Sequence, residues 1–420
     1  MALHDSGHDV DPPKCHPNTR VAVIQKILDW ASGTDTNVHA KFIMWLSGAA
    51  GAGKSSIGRT VAERCAAQGT LLASFFFSAT DSTRSHPRAL VSTIAYQMGV
   101  IHPSLQETIL ALVDDDPLIF TRSLRTQFSS LIMDPLSTIF RGAPSHSARL
   151  VIIDGLDECE NPTSQCDILT TLLNLKIDSS LPLRFLICSR PENQINSTFA
   201  STRMQACHTK LFLDEQYFPD KDIEMYLRDH FEEIKMAHLF KHLIPADWPG
   251  EATIDRLVRT SSGQFIYAAT VVRYVKSSHH RPHQRLEVIL GLRPPQNDLL
   301  FSQLDALYTH ILLKVANLSL VIDIITFPIL YYRYNIWNIE KILGLEPGDV
   351  EVTFSELQSI ARIDHDKDSK IGYITLLHKS IEDFLLDRER SQSIYIDSLS
   401  SWVKNVPRIL QIFSSESGNQ

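Results

Sequence analysis

The segment GAAGAGKSS at 48–56 holds the residues best suited to chemistry, because Gly48, Gly53, Lys54 and Ser55 fit the spacing G-x-x-x-x-G-K-[ST]. Glycines at Gly48, Gly51 and Gly53 let the backbone turn sharply, so that successive N–H groups point at phosphate oxygens while the next helix adds its positive end. Lys54 would then reach the β- and γ-phosphates, the Ser55 hydroxyl would coordinate Mg2+, and Ser56 would extend the row of amide donors. A glycine-rich turn without a ligand is the ordinary alternative. The setting favours the phosphate loop: KFIMWLS (41–47) is an apolar run of strand length, and downstream Ile57, Val61 and Cys65 recur every fourth residue up to Gly69.

A phosphate loop needs a carboxylate at a neighbouring strand tip to hold the metal. RLVIIDGLDE (149–158) offers Asp154 after the unbroken apolar run Leu150–Ile153, the pattern of a strand buried on both faces of a parallel sheet. Asp157 and Glu158 follow within four residues. Glu158 is the first candidate for orienting an attacking water and Asp157 the second, although either could instead cap a helix or pair with a base. LRFLICSRP (183–191) is a further core strand ending in Ser189 and Arg190, with Pro191 as its stop. The planar, permanently charged guanidinium of Arg190 would suit a γ-phosphate; a surface arginine at a strand end explains the same residue equally well.

Together these motifs resemble the NACHT class of STAND nucleotidases, switch ATPases or GTPases, and in particular NACHT proteins of basidiomycete fungi of the nephrocystin-3-like N-terminal type. The likeness also rests on FFFS (75–78), SRPE (189–192), DIEMYLRDHF (222–231), SSGQFIYAATVVRYV (261–275), QLDALYTHIL (303–312) and LLHKSIEDFLLD (376–387). It implies an α/β fold: a P-loop core with a parallel sheet, then a helical subdomain, then a winged-helix domain. It also implies that His378 contacts the β-phosphate of a bound diphosphate and holds a closed state. By itself His378 reads as a satisfied core histidine. The lead-in CHPNTR (15–20) is similar to that of fungal NACHT proteins, where a Thr-Arg pair precedes a helix beside the base, which marks Thr19 and Arg20. A helix N-cap at Asn18 or Thr19 accounts for them without a ligand.

Stepping through the chain gives a lead-in over 1–37, the nucleotide-binding core over 38–215, a helical subdomain and connector over 216–298, a winged-helix-like domain over 299–395 and a tail over 396–420. A strand pair is expected near 360–377. Effector and repeat domains, common in STAND proteins, would need more chain than the roughly forty residues before the first strand and thirty after LHKSIEDFLLD, and no repeat period is visible.

The 420 residues, 44% hydrophobic and 21% charged, suffice for two or three domains. A formal charge of −8 gives no basic footprint for nucleic acid. Six cysteines without a C-x-x-C pair read as free thiols in a reducing, cytoplasmic setting. The polar N-terminus is unlike a signal peptide, and the apolar stretch Leu318–Tyr332, interrupted by Asp323 and Pro328, is too short to span a membrane. His238 with His242, and His279, His280 and His283, lack the further ligands that zinc needs nearby. The expected function is an ATP- or GTP-binding switch with Mg2+ and slow hydrolysis, working with protein partners or by self-assembly and without nucleic acid or membrane. A scaffold that binds nucleotide without hydrolysing it is the alternative, and a P-loop phosphotransferase the third choice.

Overall fold

Three of the apolar runs read from the sequence are strands of one parallel sheet. In the computed structural model these are β1 (Ile43–Ser47), β3 (Arg149–Asp154) and β4 (Leu183–Ser189), joined by β2 (Leu71–Phe76) and β5 (His208–Phe212) in the order β2-β3-β4-β1-β5. The described residues run from 14 to 416, except 36–37, 39, 50, 79–82, 141–147, 179–180, 214–216, 218, 262, 277–280, 291–304, 306–307, 310–311, 314, 332–333, 358–359, 366–370 and 377–378.

They fall into two compact units, one built from residues up to Gly48 and Gly53–Tyr217, the other from Ala49–Ala52 and Phe218 onward. The first contains the sheet. Its register places Ser47 beside Ser189 and Asp154 beside Cys188, so the C-terminal tips of β1, β4 and β3 lie in a row. Helices cover both faces, as the fully buried middle strands require. The amphipathic helix α1 (Val21–Ser32) buries Val23, Ile24, Ile27 and Trp30, and α2 (Lys54–Ala67) buries Ile57, Val61 and Cys65, the fourfold series seen in the sequence. At the sheet edge, Gln97 of α3 (Leu90–Ile101) accepts the Ser74 N–H and donates to the Ser74 carbonyl, closing β2 much as another strand would.

The second unit has two cores. Helices over Pro219–Ala237, Glu251–Ser261, Phe265–Val275 and Pro282–Ile289 enclose Ile223, Leu227, Phe231, Trp248, Leu257 and Val271. Later helices over Leu318–Leu330, Ile336–Leu343 and Asp349–Phe354 precede an antiparallel pair, β6 (Ala361–His365) with β7 (Gly372–Leu376), and a helix over Lys379–Leu385. Ile324, Phe327, Ile339, Phe354 and Phe384 meet in this second core. Ala49–Ala52 belong to this unit, where the Ile266 N–H donates to the Gly51 carbonyl at 3.2 Å. Among the described residues no helix is long and apolar enough to cross a membrane.

Candidate functional site

The site is assembled at the tips of β1, β4 and β3. β1 feeds the loop that begins at Gly48, and α2 starts at Lys54 behind Gly53, whose φ of +89° only glycine adopts readily. No side chain caps this helix end, and the start of a helix is where backbone amides suit an anionic ligand. The Lys54 Nζ donates to the Gly48 carbonyl at 2.8 Å, folding the loop back on itself. Burial holds the lysine pKa below its ordinary value; Asp157 and Asp154 oppose that fall, while Arg190 adds to it.

Asp154 ends β3 and is 3% exposed. Burial pushes its carboxyl up to about 6, against a hydrogen bond with Ser55 that favours the charged form, and the nearby Glu158 charge adds to the rise. Its Oδ1 is buried and has no hydrogen-bond partner among the described residues. Lone burial of a carboxylate is costly. An anionic oxygen without a donor, beside a serine hydroxyl and below an uncapped helix end, is the donor set a hard divalent cation takes, so these residues fit magnesium carried with a polyphosphate.

Two residues that carry no motif, Gly58 and Cys188, line this arrangement. A Cβ on Gly58 would lie at ordinary contact distance, 3.5 Å from Asp154 Oδ1 and 3.6 Å from Cys188 Sγ, so this turn of α2 packs directly on the tips of β3 and β4. Cys188, paired in register with Asp154, is fully buried, and burial together with the neighbouring carboxylate pushes its thiol well up. Spacing alone gave no signal for either; their meaning depends on which strands are adjacent.

The acidic turn after Asp154 divides its duties. Gly155 adopts φ +70°, and a Cβ there would stand 3.3 Å from the Phe77 carbonyl. Residues Leu156–Glu158 form one short 3-10 turn, which sends the two acidic side chains to different places. Asp157 turns to β4: its Oδ1 accepts the Arg190 main-chain N–H at 3.0 Å, and its Oδ2 lies 3.1 Å from Arg190 Nε. Glu158 stays near Asp154, as its effect on that carboxyl shows. Gln165 secures the turn by donating to the carbonyls of Asp157 (3.3 Å) and Cys159 (2.7 Å), and is itself held by Gln194 at 2.7 Å.

Thr19 and Arg20 are buried, at 2% and 4% exposure. Neither Asn18 nor Thr19 caps α1: Arg20 occupies that position in the left-handed region with φ 55°, while the Thr19 hydroxyl donates back to the His16 carbonyl at 2.7 Å. The lead-in is tied to α2 by the Cys15 N–H donating to Thr60 Oγ1 at 3.1 Å, and Thr60 in turn donates to the Ser56 carbonyl. Gly48, Gly53, Lys54, Ser55, Ser56, Asp154, Asp157, Glu158 and Arg190 thus belong to one unit with Thr19 and Arg20. His378 lies outside the described residues.

Comparison with known proteins finds a family and similar folds. Residues 23–190 match the family described as Nephrocystin 3, N-terminal. Over this stretch the chain is similar to the nephrocystin-3 N-terminal type. A Walker-type ATPase of Pyrococcus abyssi is similar in structure, with a TM-score of 0.53 at 14% identity over 88% of this chain and 97% of that one. The Orc1 protein of Aeropyrum pernix, solved in complex with DNA, gives a TM-score of 0.40 at 12% identity over 91% of this chain and 93% of its own. No curated protein matches the chain by sequence. The nephrocystin-type segment contains the phosphate loop, Asp154, Asp157, Glu158 and Arg190, every residue of the strand-tip row described above.

Proposed function

We propose that this chain is a nucleotide-controlled switch that binds ATP or GTP with Mg2+ and hydrolyses it slowly. One observation carries the reading: Asp154 is buried and linked to Ser55, with an oxygen lacking a hydrogen-bond donor, directly beside Lys54 and the uncapped start of α2. Ser55 and Lys54 offset part of the cost of burying this carboxylate, and a cation shared with phosphate would offset the rest.

Bound magnesium would neutralise phosphate charge and orient the terminal phosphoryl group. The protein's own groups do the rest. Lys54 exchanges its intramolecular acceptor, the Gly48 carbonyl, for phosphate oxygens, whose negative charge favours the ammonium that burial disfavours. Backbone amides at Gly53, Lys54, Ser55 and Ser56, at the start of α2, would donate to phosphate oxygens. Glu158, near Asp154, is the group to orient a water. Asp157 has a donor on each oxygen and is the weaker choice for that role.

Switching asks for more than one contact, because driving a two-state protein from mostly closed to mostly open takes about 5.5 kcal/mol of differential binding. Lys54, Arg190 and, by family resemblance, His378 in a winged-helix domain over 299–395 would change partners together. Partner proteins or further copies of the chain would complete the response, and slow turnover suits a site that relies on positioning alone.

Denaturing the purified protein and identifying the released nucleotide by chromatography tests the reading. The wild-type chain should release a nucleoside di- or triphosphate in near-stoichiometric amount, and Lys54→Ala should release little. A folded wild-type chain that carries no nucleotide and binds none when titrated with Mg2+ would overturn it.

A further inference from the structure

We propose that Asp157 is a positioning residue that holds the Arg190 guanidinium ready for the third phosphate, so that the pair sets the preference for a triphosphate over a diphosphate. This rests on the nucleotide-binding reading above and adds the means by which the site tells its two ligands apart.

Placement comes first. β4 lies between β1, which leads into the phosphate loop, and β3, which ends in Asp154. Arg190 follows β4 directly, so it emerges between the residues assigned to phosphate and those assigned to metal. An arginine there would ordinarily sample many rotamers, and fixing one costs side-chain entropy. Here Asp157 has already fixed it, gripping both the main-chain N–H and Nε.

The choice of nitrogen matters. A guanidinium carries five N–H donors in a planar fork; engaging Nε uses the edge nearest the chain and leaves the outer Nη groups for a second anion. The pair is enclosed but not sealed, with the Asp157 side chain 6% and the Arg190 side chain 16% exposed. Its acidic member is fixed in turn, since the Asp157 carbonyl accepts from Gln165, which Gln194 anchors.

Charge supplies the second reason. Arg190 is close enough to Lys54 to disfavour its charge, and Asp157 is the largest favourable influence on the lysine. By standing beside both, Asp157 allows them to share one site before any phosphate arrives. A diphosphate has no group for the outer face of Arg190, whereas a triphosphate does. Loss of Asp157 should therefore affect the triphosphate selectively.

Full-length wild-type protein, stripped of nucleotide and supplied with Mg2+, is titrated calorimetrically with a non-hydrolysable triphosphate and with the diphosphate of the same base. Asp157→Asn, Arg190→Ala and the double variant are measured alongside. Each single variant should lose about tenfold in triphosphate affinity, the scale of one charge-assisted hydrogen bond, and the double variant should lose no more than Arg190→Ala alone. Diphosphate affinity should stay within about twofold, which also shows that each variant is folded. A triphosphate preference retained in Asp157→Asn, equal losses for both nucleotides, or losses that add in the double variant would overturn the assignment. A wild-type chain that binds neither nucleotide would overturn the underlying reading and this one with it, an outcome plainly distinct from the others.

Discussion

Replacing Asp154 by Asn should stabilise the nucleotide-free protein while abolishing its use of magnesium. The size follows from the carboxyl, whose pKa rises from 3.8 in the unfolded chain to about 6 in the fold. Because the folded pKa is the higher one, the folded state favours the protonated acid: its stability is greatest below pH 3.8 and is lost as pH rises through 6. At about 1.4 kcal/mol per pH unit, the full cost of ionising Asp154 in the fold is about 3 kcal/mol near pH 7.5, and about half of that remains at pH 5. Asn keeps an oxygen for Ser55 and removes the charge. Urea unfolding in EDTA, followed by tryptophan fluorescence, reads this directly, since Trp30 and Trp45 are both buried in the same unit. Asp154→Asn should be the more stable protein by about 1–3 kcal/mol at pH 7.5, with the gap shrinking by about half at pH 5. Saturating Mg2+ and triphosphate should reverse the order, because only the wild type gains from binding. A destabilised variant at pH 7.5 without metal, or a gap independent of pH, would refute the view that Asp154 is kept charged at a cost for the sake of a cation.

Further outcomes follow from the neighbouring residues. Glu158→Gln should reduce phosphate release by about a hundredfold or more while leaving nucleotide affinity unchanged, as loss of a water-orienting group does; equal turnover would remove Glu158 from the chemistry. Gly155→Ala should cost about 1–2 kcal/mol in urea unfolding, because its φ of +70° disfavours any Cβ and the Phe77 carbonyl stands in its way. Ellman's reagent should titrate Cys15, Cys166 and Cys207 of the native protein well before Cys65, Cys159 and Cys188, which are buried.

The strands that carry the site were legible because their sequences are simple. β1, β3 and β4 are nearly unbroken apolar runs closed by a glycine, an aspartate and an arginine, and they are buried except at Arg149 and Arg184. β5, HTKLF, gave no such signal: among its five residues only Leu211 is buried, since the strand lies at the sheet edge and needs only one apolar anchor. Strand order was not legible either, because it depends on how crossovers pack and not on any one segment. That order decides what Arg190 can touch. With β4 between β1 and β3, a residue 33 positions beyond Asp157 in the chain becomes its hydrogen-bond partner.

The same reasoning explains why two adjacent acids, indistinguishable in the sequence, acquire different duties. On the 3-10 turn at Leu156–Glu158, neighbouring side chains are separated by about a third of a turn, so if one faces the tip of β4 the next cannot. Asp157 takes Arg190, and Glu158 has the larger effect of the two on the Asp154 carboxyl. The left-handed Gly155 sets the phase of that turn, and Gln165 fixes it from the following helix. Identity at 157 and 158 is therefore not interchangeable: exchanging the two residues would lengthen the acid facing Arg190 by a methylene and shorten the one near Asp154, misplacing both while leaving composition, charge and motif intact. A swapped protein should still bind diphosphate through the phosphate loop, yet lose triphosphate preference and turnover together, because each depends on reach and not on charge.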